Sequence, residues 1–466
     1  MNDLELSLRT LAGKQEIYTK YWQYFQGDHP LIFNAEKLRN IFKDIDARFT
    51  ENWCGVVVDS VLDRVQLTGF TVANNEALTK QLNALFLSTE LNLDADDAHL
   101  AALVTGESFI IAWLNDDDEI EAFYNDPRQC HVFYMADNPR KKRLAAKWWN
   151  GDDGHRYVTL YYPDRLEYYR TAKPVKAETQ TKHGDYVLID ENGDLTDQPA
   201  ENTFSQIPVF HLRRERRKVR SELATIIEPQ DSINKLVSDM MVAAEFGAFR
   251  QRYIISQVSV IGKFTNSPDE IWGIPAGDGE GEGTRVGEFS ATDLDNYIKA
   301  IDQRVNTVAA ISRTPKHFFF SQGGDPSGDA LVTMEGPINK KASRYIARFA
   351  ATWRKVAQFL LELSGSVVAE IDIEPNFVEP ATIQPMIASQ IRKTNIDAGI
   401  PLITQLKWEG WTAEEIDELQ QDMDETTQRQ QAGIGAALLN AQEQFSRGGA
   451  AVVPGDSVDG QTEPGV

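Results

Sequence analysis

Three groups of residues have types and spacings that could do chemistry. The first is HFFFSQGGDPSGDAL, residues 317–331, where three phenylalanines run into glycines and an Asp-Pro pair. Glycine-rich runs that open a helix can cradle phosphate on their backbone N–H groups. A Walker loop, however, also needs a lysine for the phosphates and a hydroxyl for magnesium. GGDPSGDAL has no lysine, and Asp325 and Asp329 would repel a triphosphate. A dinucleotide fingerprint needs a strand before its glycines, whereas a helical pattern and the phenylalanines stand there. The loop is not a phosphate site.

The second group is RRERRKVR, 213–220, six bases and one acid in an acidic chain. It reads either as a solvated basic face or as a site for a neighbour's carboxylates or for phosphate. The third group is the histidines, at 29, 99, 131, 155, 183, 211 and 317. They show no H-E-x-x-H or other paired spacing, so no metal site is indicated. The acidic turns DADDAH and NDDDE lack the glycine and distal glutamate of a calcium loop. No G-x-S-x-G elbow accompanies a serine nucleophile. The sequence offers neither a catalytic constellation nor a cofactor site.

Composition bounds the rest. The chain has 466 residues, 42% hydrophobic and 25% charged, which suits two to four globular domains. Seventy acids against 47 bases leave a net charge of −23, which argues against tight binding of nucleic acid. Cys54 and Cys130 are the only cysteines, so no disulfide framework or zinc site is expected, and a reducing compartment is. The N-terminus is polar, without a signal-type apolar core. HLAALVTGESFIIAWL is interrupted by Glu107 and falls short of the roughly 20 residues that span a bilayer, so no membrane partner is expected.

The elements that must position these groups follow from periodicity. To about residue 115 the pattern is mostly helical: Tyr18, Trp22 and Phe25 are helically spaced and Gly27 and Pro30 end their segment. NWCGVVVDSVLDRVQ carries a helical stripe, LTGFTV a short strand, and a helix passes into a strand near Gly106. From about 108 to 212 strands alternate with turns, giving a mixed sheet whose tyrosines pair across strands. Residues 221–250 form a long helix with a kink at Pro229 or a second start near Asp231. An acidic, glycine-rich segment follows. A second helix spans 291–312, with Ile298, Ile301, Val305, Val308 and Ile311 on one stripe. After the phenylalanine loop, nearly forty residues can be helical, about 55–60 Å long. Asp325 is positioned as N-cap, Pro326 as N1, and Gly336-Pro337 should bend the helix. Two or three more helices precede a Gly/Pro-rich tail. The fold class is α+β.

This order of helix, small lobe, helix, aromatic loop and long kinked helix resembles the portal protein of tailed bacteriophages. The resemblance covers roughly residues 15–440. It rests on YWQYFQGDHP, NWCGVVVDSVLDRVQLTGF, GES, LYYPDRLEYY, IPVFHLRRE, SELATIIEPQDSINKL and GGDPSGDALVTMEGPINKKASRYIARF, taken in order. It implies a mixed α/β wing over 1–223, a stem helix over 224–251, a clip over 252–290 and a second stem helix over 291–312. A tunnel loop over 313–326, a long kinked wing helix and return over 327–389, a helical crown over 390–446 and a disordered tail over 447–466 complete the implied plan.

The resemblance also implies a function. Such proteins form a ring, a dodecamer, at one capsid vertex, through which double-stranded viral DNA is packaged and ejected. The implied partners are the terminase large subunit, head-completion and adaptor proteins, the scaffold and the major capsid protein. The implied location is the virion, with the host cytoplasm during assembly. The tunnel loop would place Arg313, Lys316, His317, Phe318, Phe319, Phe320, Ser321, Gln322, Gly323 and Gly324 at the channel. Arg213, Arg214, Arg216, Arg217, Lys218 and Arg220 would contact the neighbouring subunit. Trp272, Asp278, Glu280 and Glu282 would dock partners at the clip. Gly336 and Pro337 would kink the long helix. The chain would not be an enzyme. Two other classes stay open: a nuclease-like DNA-processing subunit, which needs a divalent-metal carboxylate cluster, and another virion connector or adaptor.

Overall fold

The computed structural model describes residues 2–30, 50–115, 117–248, 252–255, 285–288, 293–319, 328–366, 371–381, 385–408, 411, 416, 418–426 and 429. The chain divides into two compact units, Met1–Thr382 and Ile383–Val466. The fold is α+β, as the sequence indicates.

Helix α1, Asp3–Gln26, starts where Asn2 accepts a hydrogen bond from the Leu4 N–H at 3.1 Å. It stops at Gly27, whose φ of 81° lets the Asp28 N–H reach the Gln23 carbonyl at 2.9 Å. Its Leu4, Leu8 and Leu11 stripe is buried. Helix α2, Trp53–Leu62, is capped by Asn52, which also donates to the Phe25 carbonyl and so ties α2 to the end of α1. Strand β1, Leu67–Val72, leads into α3, Glu76–Ser88, and α4, Leu91–Val104.

Gly106 marks the switch from α4 to β2, Glu107–Leu114. Its φ is 101°, and a Cβ there would lie 2.7 Å from the backbone of Arg220, so only glycine fits. Strands β2 and β3, Ile120–Asn125, form a hairpin across the turn at 115–119. The next four strands make an antiparallel meander: β4 Cys130–Tyr134, β5 Lys142–Asn150, β6 Arg156–Tyr161 and β7 Arg165–Thr171. β8, Tyr186–Ile189, completes it, and β9, Ala200–Glu201, pairs with β7. Trp149 opposes Tyr157 across β5 and β6, their rings stacked 5.4 Å apart, the cross-strand role expected of such aromatics. The leucine stripe of α1 packs on Leu144, Ala146, Val158 and Leu160 of this meander.

Strand β10, Val209–Arg213, returns to β2 antiparallel, giving the order β10-β2-β3 with Arg213 opposite Glu107. A 3-10 turn, Glu222–Thr225, then precedes α5, Ile227–Ala248. Of the two readings at Pro229, a kink or a second start near Asp231, the structure has a start, four residues earlier at Ile227, and no mid-helix proline. The proline falls in the first turn, where backbone N–H groups have no ladder partner to lose.

Strands β11, Arg252–Ile255, and β12, Arg285–Glu288, form a two-stranded antiparallel ladder. Helix α6, Asp295–Ser312, packs against α5. Of its expected stripe, Ile301, Val305 and Val308 are buried, but Ile298 and Ile311 are 48% and 46% exposed. Ile311 lies about 120° around the helix from Val305, off the buried face, whereas Ile298 lies within about 20° of Val305 but stands in the first turn of α6. Helix α7, Gly328–Leu363, is 36 residues long and contains Gly336 and Pro337. Ile338, Ala342, Tyr345, Phe349, Trp353, Val356 and Leu360 run along its buried face. Strand β13, Ile373–Phe377, brings the chain back to pair antiparallel with β1. In the second unit, α8, Pro385–Asp397, and α9, Leu402–Trp408, are joined through Gly399 at φ 89°.

Candidate functional site

The described part of the 313–326 segment is built outward from the end of α6. Arg313 adopts the left-handed conformation at φ 60°, and the Thr314 N–H returns to the Ala309 carbonyl at 3.1 Å. That closes the helix as a glycine would, at the strain cost of a side chain in this region. Pro315 then sets an extended backbone, and Lys316–Phe318 form one 3-10 turn. Arg313 and Lys316 are exposed.

Two polar clusters hold this turn against α7. In one, Arg64 donates to Glu335 at 3.1 Å, to Asn339 at 2.9 Å and to the Ser60 carbonyl at 2.9 Å. Glu335 and Asn339 stand four residues apart on one helix face, so a single guanidinium spans both. His317 Nε2 lies 3.4 Å from the other oxygen of Glu335. The same guanidinium sits 5.3 Å above the Phe318 ring, and Phe319 is buried against Trp53 with ring centres 5.5 Å apart. Two of the three phenylalanines thus belong to the body of their own chain.

The second cluster surrounds Glu222. Lys341 Nζ lies 2.5 Å from one carboxylate oxygen, while Arg214 at 2.7 Å and the Tyr345 hydroxyl at 2.8 Å donate to the other. Lys341 also donates to the Ser312 carbonyl at 2.7 Å, the last residue of α6. Arg348 donates to the Arg214 carbonyl. Burial alone would raise the Glu222 carboxyl, but Lys341 and Arg214 outweigh it and hold it below its ordinary value. One buried carboxylate therefore joins the start of α5, the end of α6 and the middle of α7.

The basic run is not one surface. Arg213, at the end of β10, places its guanidinium 4.8 Å above the Tyr134 ring. Arg214 turns inward to Glu222 and donates to the Arg220 carbonyl at 2.7 Å. Arg216, Arg217, Lys218 and Arg220 are exposed. Arg214 is thus engaged within its own chain, because a strand end followed by a turn sends neighbouring side chains in different directions. Phe320, Ser321, Gln322, Gly323 and Gly324 lie outside the described residues. So do Trp272, Asp278, Glu280 and Glu282, the proposed cap Asp325 with Pro326, and the tail 447–466.

Beyond Arg213 the sheet encloses a second charged centre. Glu107 is fully buried, 2.5 Å from Lys14 Nζ, 2.8 Å from the Tyr18 hydroxyl and 2.9 Å from His211 Nε2. Burial opposes its charge, but Lys14 and His211 hold it well below the usual carboxylate range. Burial lowers His131 to about 3, so that ring is neutral at ordinary pH.

Sequence reasoning missed Arg64, Glu222, Glu335, Asn339, Lys341 and Tyr345. The signal was Lys341, Tyr345 and Arg348 at helical spacing beside the apolar stripe of α7, polar residues where a core face was due. Among the described residues, no group of three or more His, Cys, Asp or Glu side chains is arranged to hold a metal. No described helix is long and apolar enough to cross a membrane.

A family model described as phage portal protein, SPP1 Gp6-like, matches residues 9–432. Among curated proteins, the portal protein of Mycobacterium phage D29 is 23% identical over 360 residues, covering 70% of this chain and 67% of that one. The portal protein of Mycobacterium phage L5 is 21% identical over 361 residues, covering 70% of this chain and 66% of that one. The chain thus spans about two thirds of the length of each relative.

Proposed function

Because the chain belongs to the SPP1 Gp6-like family of phage portal proteins, we propose that it forms the channel through which a phage genome is packaged and ejected. The observation that carries this reading is the extent of the family match. It takes in the paired helices α5 and α6, the aromatic turn and the long helix α7. In this reading α5 and α6 are the stem, the segment between them the clip, and 313–326 the tunnel loop. The wing lies before α5 and in α7, and the crown follows about residue 390. Twelve copies make the ring at a capsid vertex. The clip, with Trp272, Asp278, Glu280 and Glu282, docks the terminase large subunit and head-completion proteins, while the wing meets scaffold and major capsid protein. Gly336 and Pro337 bend α7.

The physical chemistry supports a sliding channel. A duplex must move past the protein without a deep electrostatic well at each phosphate, and a body of net charge −23 disfavours such wells. Exposed Arg313 and Lys316, repeated around a ring, supply a sparse positive belt. The clamps on Phe318 and Phe319 fix the base of the loop. The test is removal of residues 321–324, which spares both anchored phenylalanines. Rings should persist while complementation of a portal-deficient phage is lost. Full complementation by this variant would refute the tunnel-loop assignment.

A further inference from the structure

A cavity of about 410 Å³ opens where β10 leaves its sheet, within the ~300–1,000 Å³ span of ligand pockets. Its floor includes the neutralised centre of Glu107 and His211, and His131, whose Nδ1 is buried without a hydrogen-bond partner. Its walls carry Arg143, Arg213, Arg216 and Arg217. Arg143 is engaged by Asp3 at 2.8 Å, and Arg213 lies over Tyr134. No hydrogen bond or ion pair engages the side chains of Arg216 and Arg217 among the described residues. With the Glu107 charge met by Lys14, the cavity is left with uncompensated positive charge.

The opposite charge sits at the other end of the same sheet. Strand β2 starts at Glu107, opposite Arg213, and runs eight residues to Leu114. At ~3.3 Å per residue that is about 26 Å. There the hairpin turn presents Asp117, Asp118 and Glu119, all exposed and none in an ion pair among the described residues. Hydrogen bonds tie Asp117 and Glu119 back to the end of β2: the Asn115 side chain accepts from the N–H groups of Asp117 at 3.0 Å and Glu119 at 2.8 Å. A basic cavity and an acidic tip at opposite ends of one strand are complementary between copies but cannot meet within one copy. Head-to-tail contacts of that kind generate rings when the rotation between copies closes, and open filaments when it does not.

We infer that the cavity walled by Arg213, Arg216 and Arg217 receives the Asp117–Glu119 turn of a neighbouring copy of this chain. The inference rests on the ring reading above and names the contact that closes it. Carboxylates suit the site because guanidinium groups bind them in paired, planar geometry.

The test compares the full chain with three variants: Arg216→Glu/Arg217→Glu, Asp117→Lys/Asp118→Lys, and all four changes together. Assembly is read by mass photometry over a protein and salt series, and folding by circular dichroism. A milder pair, Arg216→Gln/Arg217→Gln, covers misfolding of the reversed one. Each reversed pair alone should raise the concentration for half-assembly at low salt by about tenfold or more, and the combined variant should recover most of that loss. Rings indifferent to either pair would overturn the inference and leave the ring reading standing. Loss without rescue in the combined chain would overturn the choice of the turn as partner. A parent chain that never assembles would overturn the ring reading itself.

Discussion

Replacing Glu222 by glutamine tests the polar hub most sharply. The carboxylate is buried and faces Lys341 at 2.5 Å and Arg214 at 2.7 Å. Glutamine keeps the shape but leaves two cations without their counter-charge, and breaking a buried pair this way costs about 3–5 kcal/mol. Unfolding entropy of ~2.1 cal/mol/K per residue gives roughly 0.8 kcal/mol/K for the unit Met1–Thr382. The expected fall in Tm is therefore about 4–6 °C, measured by differential scanning fluorimetry near neutral pH. Adding Lys341→Met should restore part of the loss, since it removes the stranded charge. The pH dependence has a definite sign. The folded carboxyl titrates below its ordinary 4.5, so its contribution is complete above that pH and fades as pH falls through the folded value. The acid-side drop in Tm should be steeper in the parent than in Glu222→Gln. A variant melting within about 1 °C of the parent, or a double variant less stable than the single one, would refute the hub as an electrostatic lock.

Other outcomes follow from the same geometry. Arg64→Ala removes the guanidinium that spans Glu335, Asn339 and the Phe318 ring, and should cost about 1–3 kcal/mol in urea unfolding. It should also speed tryptic cleavage at exposed Lys316, and unchanged cleavage would show that the turn is held elsewhere. His99 is fully buried, accepts from Trp353 Nε1 at 2.8 Å, and is lowered by burial to about 3. Its unfolded form takes up a proton near pH 6.5 and its folded form does not, so it removes stability as pH falls from about 6.5 toward 3. His99→Gln should flatten that part of the stability profile, whatever it does to stability at pH 8, and an unaltered slope would contradict the assignment.

Much of the fold was legible because it is written in local periods and punctuation. Gly27 ends α1, Gly106 turns α4 into β2, and the stripe of α7 is continuous from Ile338 to Leu360. Pro229 left a kink and a second start both open because a proline in the first turn and one in mid-helix look alike when the helix start is unmarked; the structure has a start, at Ile227, after a separate 3-10 turn. The site was less legible because its bonds are long-range. Arg214 meets Tyr345 and Glu222 meets Lys341 across more than a hundred residues, beyond any spacing rule. Three adjacent phenylalanines could not all share one core, and the structure divides them: Phe319 is buried against Trp53 and Phe318 lies half-exposed beneath Arg64. Gly106 had a second role the sequence hides, since its missing side chain admits the backbone of Arg220.

In the portal reading this chain assembles into a channel. Electron microscopy of the purified protein over a salt series, counting subunits in end-on views, tests it directly. Closed rings with an axial opening wide enough for a DNA duplex are the expected result, with assembly favoured as salt screens the −23 charge on each copy. Monomers at every salt and protein concentration would contradict it.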